Sequence, residues 1–378
     1  MRFREVIGQE GIKKRLINSV KNNRISHAQL FLGSNGSGDL PLAIAYAQFI
    51  CCENKQDDDS CGECPSCKKF NKLIHPDLHF VYPVATTQKV TKKPLSIDFI
   101  ADWRNFISKD PYQELNKWYE EIGIENKQGI INAEDCNEII RKLNLKSFES
   151  EYKIVIMWMV EKLFHAAAPK LLKILEEPPE KTLFILISRD QDQILKTILS
   201  RSQLIKIPRI SDDEMYNYLV SNSCCSEAEA ENIVKLAYGD YSEAKKLLSD
   251  TESLNFNFIN FRNWLLMCYS KKFPEIISWG DEFSKIGREK LKSFLSYGLH
   301  IFRECLMINN GAENLTRLIK EELEFATKFS RFVNNSNSIA LNEEFNKASY
   351  HIERNANAKI VLLDLSIKVK DLLFQNRK

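Results

Sequence analysis

The chain has 378 residues, which is too long for one ordinary domain and predicts two or three. Its 53 Lys and Arg residues nearly balance 51 Asp and Glu, which argues against a dedicated polyanion-binding protein. The sequence starts without a secretory pattern, and its apolar runs are far shorter than the about 20 residues that cross a bilayer. We therefore expect a cytoplasmic protein with no membrane partner.

Short apolar runs in the first two-thirds of the chain predict β-strands. Most are continuously apolar, a pattern typical of parallel strands that helices cover on both faces. Segments with helical spacing lie between them, including 12–20, 42–51 and 169–175. This alternation predicts an α/β domain with a parallel sheet. The candidate strands are Gln29–Leu32, Leu78–Tyr82, Lys153–Trp158, Leu183–Ile187 and Gln203–Ile207.

A glycine-rich loop follows the first predicted strand and precedes a helix, which is the setting of a phosphate-binding P-loop. Gly33, Gly36 and Gly38 stand at suitable positions. Asp39, however, occupies the place of the Lys that reaches the phosphates, and Leu40 that of the hydroxyl that holds Mg²⁺. A carboxylate there would repel a triphosphate. We expect no ATP binding; the alternative is that the loop was never a phosphate loop.

Five of the ten cysteines lie close together, from Cys51 to Cys67. Cys61, Cys64 and Cys67 follow one another at two-residue gaps, and four thiolates at tetrahedral corners suit a structural Zn²⁺ ion. Cys51 and Cys52 are the alternatives for the fourth ligand, and we prefer Cys52. No His or carboxylate is needed in this set, so we expect a closed site. Free reduced thiols and a redox pair are the alternative interpretations.

Residues 86–129 interrupt the alternation of strands and helices with a Lys-rich stretch that also contains Trp and Tyr. We interpret them as an insertion, partly helical around 97–106 and 114–122. We expect this insertion to be a surface element, and the sequence assigns no role to it.

The strand after this insertion is similar to a Walker B strand, which ends in acidic residues that manage Mg²⁺ and the attacking water. Trp158 and Met159 occupy the positions of that acidic pair, and Glu161 comes one turn too late. Two separate parts of a nucleotide site therefore lack their chemistry.

Beyond Pro208 the pattern becomes helical. Ser211 with Glu214 three residues on predicts a capped helix. Ser242 is predicted to cap a later one. From about residue 256 onwards, apolar residues recur at helical spacing.

Further short motifs follow one another along the chain. They are Ile7-Gly8-Gln9, Ser26-His27-Ala28, His75-Pro76-Asp77, Glu176-Glu177-Pro178-Pro179 and Ser200-Arg201-Ser202. In this order, and with the cysteine cluster after the phosphate-loop helix, they resemble the DNA polymerase III clamp-loader family of AAA+ proteins. The resemblance covers residues 1 to about 248.

This resemblance implies three domains. The first is an AAA+-type α/β domain over 1–208, with a zinc module at about 51–67 and the insertion at about 86–129. A helical lid over 209–250 and an all-α C-terminal collar, or oligomerisation domain, over 251–378 would follow.

The resemblance also implies partners and one functional residue. The family forms a pentameric arc of motor (gamma/tau) and delta subunits with a non-motor subunit, and loads a sliding clamp onto primed DNA. Arg201, with Ser200, corresponds to the arginine finger that enters a neighbouring subunit's nucleotide site and stabilises phosphoryl-transfer charge. The clamp would be contacted indirectly or weakly. Non-specific contact with DNA would use lysines such as Lys170, Lys173, Lys181 and Lys196.

The sequence thus favours a non-catalytic subunit that is not an enzyme as an isolated chain. It would be part of the DNA polymerase III holoenzyme, which has nucleotidyltransferase activity. One alternative is an active AAA+ motor ATPase with a divergent phosphate loop. Another is a zinc-stabilised AAA+-like adaptor in DNA repair. Nucleotide titration of the purified chain discriminates the first alternative, and co-purification from extract discriminates the second.

Overall fold

The computed structural model describes residues 1–124, 127–249, 251–312, 315–334, 336–354 and 356–374. Residues 125 and 126 of the predicted insertion, residue 250 at the predicted end of the lid and the last four residues of the predicted C-terminal domain lie outside the described residues. The chain divides into two compact units. One comprises Met1–Ser226 and Ala237–Lys245, and the other comprises Glu227–Leu236 and Lys246–Lys378.

The first unit is built on a five-stranded sheet in the order β2-β3-β4-β1-β5, in which every pair of neighbours is parallel. This confirms the predicted parallel α/β sheet, and each strand begins and ends within one residue of its predicted bounds. Because β1 lies between β4 and β5, the segments after these three strands meet at the carboxyl edge of the sheet. The strands are β1 Ala28–Leu32, β2 Leu78–Val81, β3 Lys153–Trp158, β4 Thr182–Ser188 and β5 Gln203–Lys206.

Helices cover both faces of this sheet, as the continuously apolar strands require. One face, with Phe31, Ile156 and Ile185, belongs to the core that contains helix α2, all of whose residues are buried. The opposite face, with Leu30 and Leu186, belongs to a second core. The helices that lie wholly within this unit are α1 Glu10–Lys21, α2 Asp39–Cys51, α3 Pro65–Asn71, α4 Ile100–Lys109, α5 Leu115–Glu121, α6 Ala133–Leu143, α7 Ala168–Glu176, α8 Lys196–Leu199 and α9 Asp212–Ser221.

The predicted insertion forms α4 and α5 and is part of the core, so its interpretation as a surface element is wrong. Trp103, Phe106 and Trp118 are at most 1% exposed. Trp103 and Phe106 lie three residues apart on one face of α4 and point the same way. The many charged residues around them masked this apolar face in the sequence.

The two predicted helix caps have different outcomes. Ser211 accepts a hydrogen bond from the backbone N–H of Glu214, and the Glu214 carboxylate accepts one from the N–H of Ser211, which confirms the predicted cap. The cap predicted at Ser242 is wrong, because Ser242 lies inside α11 (Tyr241–Ser249). Asp240 Oδ1 instead accepts the N–H of Glu243 at 3.1 Å. The Ser242 hydroxyl therefore has another partner, described below.

The second unit has an all-helical core of its own. Its centre is rich in aromatic side chains, and Trp264 donates its indole N–H to Ser366 at 2.8 Å. No helix among the described residues is both long and apolar enough to cross a membrane. Helix α10 Glu227–Ala237 lies almost wholly in this unit, and the helices that follow α11 are α12 Thr251–Tyr269, α13 Phe273–Phe283, α14 Arg288–Asn309, α15 Lys320–Phe329, α16 Ser338–Glu353 and α17 Ala358–Phe374.

Candidate functional site

The glycine-rich loop leads from β1 directly into α2, which is the predicted strand–loop–helix arrangement. Gly36 and Gly38 have φ values of 62° and 88°, the left-handed conformation that glycine adopts without strain. The N–H of Gly33 donates to the carbonyl of Ser188 at 3.1 Å, which fixes the start of the loop beside the end of β4. The backbone therefore has the turns of a phosphate-binding loop, and its side chains decide what it can hold.

Asp39 is the first residue of α2 and is only 3% exposed. Its Oδ1 accepts the backbone N–H of Leu40 at 2.7 Å. A helix N-terminus attracts anions, and here the carboxylate of Asp39 takes the place where a phosphate would accept such a bond. Burial raises the pKa of Asp39, and the nearby positive charge of Arg189 opposes that shift.

Arg189, which directly follows β4, is the cation that lies beside this carboxylate. Its Nε lies 3.8 Å from Asp39 Oδ2, within ion-pair range but longer than a hydrogen bond. The guanidinium donates to the side chain of Asn35 and the carbonyl of Gln113 and lies over the Trp158 ring. The cation at this edge of the sheet is Arg189, and it contacts side-chain and backbone groups of the protein itself.

The sequence analysis missed Arg189. The available signal was the burial expected for Asp39, since a charge at a P-loop position needs a partner from an adjacent strand end. Because β4 neighbours β1 in the sheet, the residue after β4 was a place to look for it.

The Walker B end of the site is filled with aromatic side chains. Trp158 is fully buried, and its ring centroid lies 5.2 Å from that of Trp103 in α4. Met159 is 5% exposed. Glu161 lies in the turn that follows, where its Oε1 accepts the backbone N–H of Arg189 at 3.2 Å. Burial raises the pKa of Glu161. Glu161, the acidic residue that follows this strand in the sequence, thus binds protein backbone.

The cysteine cluster lies between α2 and the start of α3. Among the described residues, the sulfur atoms of Cys52, Cys61, Cys64 and Cys67 all lie within 4.8 Å of one another. A tetrahedral zinc site with Zn–S distances of about 2.3 Å separates its sulfur atoms by about 3.8 Å. Cys52 and Cys61 already lie 3.6 Å apart. These four thiols could hold a metal ion with little movement.

Backbone N–H groups surround these sulfur atoms, as thiolate ligands require. Cys61 Sγ accepts from Cys64 N at 3.3 Å and from Glu63 N at 3.5 Å, and Cys52 Sγ accepts from Cys61 N at 3.4 Å. Burial alone would raise the pKa of Cys61, but these N–H donors outweigh it and lower that pKa to about 7. Burial raises the pKa of Cys52. These N–H groups favour the thiolate form of Cys61, which is the form that binds a metal ion.

Cys51, the alternative ligand, does not belong to this group of four. It is the last residue of α2 and is 6% exposed. Burial raises the pKa of Cys51 to about 12, so this thiol stays protonated. The helix turns Cys51 towards the core and leaves Cys52, the first residue after the helix, to face the other three cysteines.

Arg201 lies on a different part of the first unit, between α8 and β5. Its guanidinium forms an ion pair with Glu176 at 2.6 Å and donates to the carbonyl of Thr197 at 3.1 Å. About a third of the arginine side chain and half of the glutamate side chain are exposed. Glu176 is the first acidic residue of the Glu-Glu-Pro-Pro motif and the last residue of α7.

Comparison with known proteins defines the class. The family described as "DNA polymerase III, delta subunit" matches residues 8–211, more than half of the chain. The chain therefore belongs to this clamp-loader family of AAA+ proteins, and the resemblance found in its sequence is confirmed.

Curated relatives carry the names of several clamp-loader subunits. The gamma subunit of Buchnera aphidicola subsp. Acyrthosiphon pisum is 27% identical over 69% of this chain and 62% of its own length. The tau subunit of Bacillus subtilis is 27% identical over 70% and 40%. The delta' subunit of Bacillus subtilis is 28% identical over 56% and 53%. The matches thus span about 40 to 62% of these relatives.

Among solved structures, a gamma-subunit-related protein from Thermotoga maritima aligns with 95% of this chain and 99% of its own chain. Its TM-score of 0.38 and 15% identity are too low to support any conclusion about this protein.

Proposed function

We propose that this protein is a non-catalytic, delta-prime-type subunit of the DNA polymerase III clamp loader. It helps to place the sliding clamp on primed DNA and contributes Arg201 to the nucleotide site of a neighbouring motor subunit. Its partners are the gamma/tau and delta subunits in the cytoplasm, with weak or indirect contact to the clamp and non-specific contact to DNA. The observation that carries the proposal is the buried Asp39 in the lysine position of the phosphate loop of a clamp-loader family member.

Charge supports the loss of nucleotide binding. A P-loop lysine offers a positive charge to the phosphates, whereas Asp39 offers a negative one in a buried position where Coulomb repulsion is poorly screened. Leu40 has no hydroxyl for Mg²⁺, and Trp158 and Met159 have no carboxylate for it. Arg189, the remaining cation, is engaged by Asn35 and Gln113.

The exposure of Arg201 supports a role towards a partner. Arg201 is held by the exposed carboxylate of Glu176 at 2.6 Å and by the carbonyl of Thr197 at 3.1 Å. It can exchange the carboxylate for phosphate oxygens at small cost, because exposed ion pairs contribute only about 0–1 kcal/mol. Its planar fork suits two phosphate oxygens at once.

Reconstitution tests the arginine assignment. In a complex with motor and delta subunits, we expect Arg201→Ala to lower the DNA-stimulated ATPase activity. The rate of ATP hydrolysis at the neighbouring site should fall by about 10³-fold, the lower end of the effect of arginine fingers in GTPases. Arg141→Ala, which removes another exposed arginine paired with a glutamate, is the control and should leave the rate unchanged. An unaltered rate for Arg201→Ala would sink this assignment.

Two simpler measurements test the rest of the function. The tagged chain should co-purify from extract with motor subunit, delta subunit and clamp; capture of repair proteins alone would favour an adaptor instead. Titration of the isolated chain with ATP and Mg²⁺ should give no saturable binding. Saturable micromolar binding would instead favour the active ATPase.

We also propose that the four-cysteine cluster holds one structural Zn²⁺ ion. Thiolate-rich tetrahedral sites select zinc, and structural sites of this kind contribute their binding free energy to folding. Metal analysis should give one zinc per chain, and Cys64→Ser should lose the metal and lower the melting temperature. Cys224→Ser, at an exposed thiol outside the cluster, is the control. The proposal would be contradicted if the wild-type chain contained no metal and had the same melting temperature as Cys64→Ser.

A further inference from the structure

The phosphate loop is covered by residues from two distant parts of the chain. One is the turn between α4 and α5, which contains Asp110, Tyr112 and Gln113. The other is the turn that opens α11, residues 240–242. Both belong to the first unit, and neither was expected at the loop from the sequence.

Tyr112 packs directly on the loop. A Cβ atom built on Gly38 would lie 3.2 Å from the Tyr112 ring, closer than an ordinary van der Waals contact. The Tyr112 hydroxyl accepts the backbone N–H of Ile7 at 2.8 Å, and the side chain is only 6% exposed. The hydroxyl is therefore anchored, and the edge of the ring lies against Gly38.

The turn at 240–242 closes the loop from another side. The N–H of Tyr241 donates to the carbonyl of Gly36 at 3.2 Å. A Cβ on Gly36 would lie 2.0 Å from Asp240 Oδ1, so only glycine fits beneath this turn. Gly36 is thus in contact with protein where a P-loop glycine would leave room for phosphate oxygens.

The two covering turns also hold each other. The Ser242 hydroxyl donates to the backbone carbonyl of Tyr112, and Lys245 forms an ion pair with Asp110 at 2.8 Å. The rings of Tyr112 and Tyr241 meet edge to face with centroids 4.8 Å apart. Contacts of these kinds join a lid to a core in many enzymes only after a ligand has bound.

The metal end of the cleft is filled from the same segment. Trp103 and Trp118, on the helices that flank Tyr112, meet each other at 5.1 Å between ring centroids, and Trp103 lies against Trp158. Phe106 is the third ring that this segment contributes to the cluster. Residues 100–121 therefore reach both the phosphate end and the Walker B end of the cleft.

We propose that residues 100–121 are a built-in occupant of the nucleotide cleft, which holds the turn at 240–242 against the phosphate loop without any ligand. Contacts within the chain thereby keep this turn closed over the loop. This inference deepens the proposed loss of nucleotide binding and rests on that part of the proposed function.

Hydrogen exchange of the full-length chain tests the occupancy through two amides. The Ile7 amide reports on the Tyr112 hydroxyl, and the Tyr241 amide reports on the closed turn. Tyr112→Phe should raise exchange at Ile7 about fivefold or more and leave Tyr241 unchanged. Tyr112→Ala should raise exchange at both by about tenfold or more.

Lys117→Ala is the matched control, because Lys117 lies in α5 and its only described ion pair, with Glu120, is exposed. It should change neither amide. Millimolar ATP with Mg²⁺ should leave the wild-type pattern unchanged. If Tyr112→Ala unfolds the unit, Tyr112→Phe, which keeps the ring, still provides the test at Ile7.

Two results would overturn the occupancy. One is an amide exchange rate that equals that of the wild type, either at Ile7 in the Tyr112→Phe variant or at Tyr241 in a folded Tyr112→Ala variant. The other is protection of the loop by ATP in the wild type while residues 110–113 stay protected. Failure to co-purify with clamp-loader subunits would overturn the proposed function and leave these exchange results untouched.

Discussion

Two arginine–carboxylate pairs in the first unit differ in burial and in distance. Arg189 and Asp39 lie 3.8 Å apart with side chains 11% and 5% exposed, whereas Arg201 and Glu176 lie 2.6 Å apart with side chains 35% and 48% exposed. The shorter pair is the exposed one. Distance alone would rank Arg201–Glu176 as the more important for stability, but burial reverses that order, because solvent screens the exposed pair.

The two arginines differ in their surroundings. Arg189 lies beside a buried carboxylate and donates to the side chain of Asn35 and to the carbonyl of Gln113. Arg201 is held by an exposed carboxylate that it can leave. In this protein the cation near the phosphate loop serves folding, and we propose that the cation at the other site serves a neighbour.

The largest effect on stability is expected when the buried pair loses one member. Arg189→Ala leaves Asp39 buried and uncompensated, and such a change costs about 3–5 kcal/mol of unfolding free energy. Urea unfolding followed by tryptophan fluorescence should report it, since Trp158 lies beneath Arg189. If Arg189→Ala lost less than about 1 kcal/mol of unfolding free energy, the buried pair would contribute no more to stability than an exposed one.

A double variant sharpens the reason for that loss. Asp39→Asn combined with Arg189→Ala removes both charges, so no unpaired ion remains buried. We expect the double variant to recover about 1–3 kcal/mol of the unfolding free energy that Arg189→Ala loses. If the double variant is as unstable as the single one, Arg189 stabilises the site by packing on Trp158 and not by charge.

The exposed pair should contribute little to folding. Arg201→Ala is expected to change the unfolding free energy by no more than about 1 kcal/mol, because the pair that it breaks is half solvated. The same urea titration measures it. A loss of several kcal/mol would mean that Arg201 is structural, and any fall in ATPase activity of the complex would then need another explanation.

The smallest effect is expected from pH. Burial raises the pKa of Asp39 in the folded state above that of the unfolded chain, so ionised Asp39 costs stability at neutral pH. That cost is relieved as pH falls through the folded pKa towards the unfolded value of about 3.9. The wild type should therefore gain stability relative to Asp39→Asn on acidification from pH 7. A relative loss would contradict the raised pKa.

Local patterns in the sequence predicted the sheet well. Continuous apolar runs located all five strands of the sheet within one residue, and the glycines located the loop between β1 and α2. The spacing of Cys61, Cys64 and Cys67 selected three thiols that the structure brings together. Each of these features is encoded within a few neighbouring residues, where periodicity and turn chemistry act directly.

Contacts between distant residues were beyond such reasoning. Tyr112 and Ser242 are 130 positions apart, and neither carries a local sign that it meets the other at the phosphate loop. The cap predicted at Ser242 was wrong for the same reason: Asp240 performs that role and leaves the Ser242 hydroxyl for Tyr112. The insertion was misjudged because its charged residues outnumber the few aromatic ones that decide its position.

The cover over the phosphate loop also has a consequence for the order of folding. Gln9 donates to the carbonyl of Pro208, 199 positions later, and the turn that closes over Gly36 is synthesised later still. A ribosome that adds about 5–20 residues per second needs roughly 10–40 s for such a stretch. During that interval α2, buried along its whole length in the folded unit, lacks part of its cover. The covered glycine-rich loop is thus among the last features of this unit to form during synthesis.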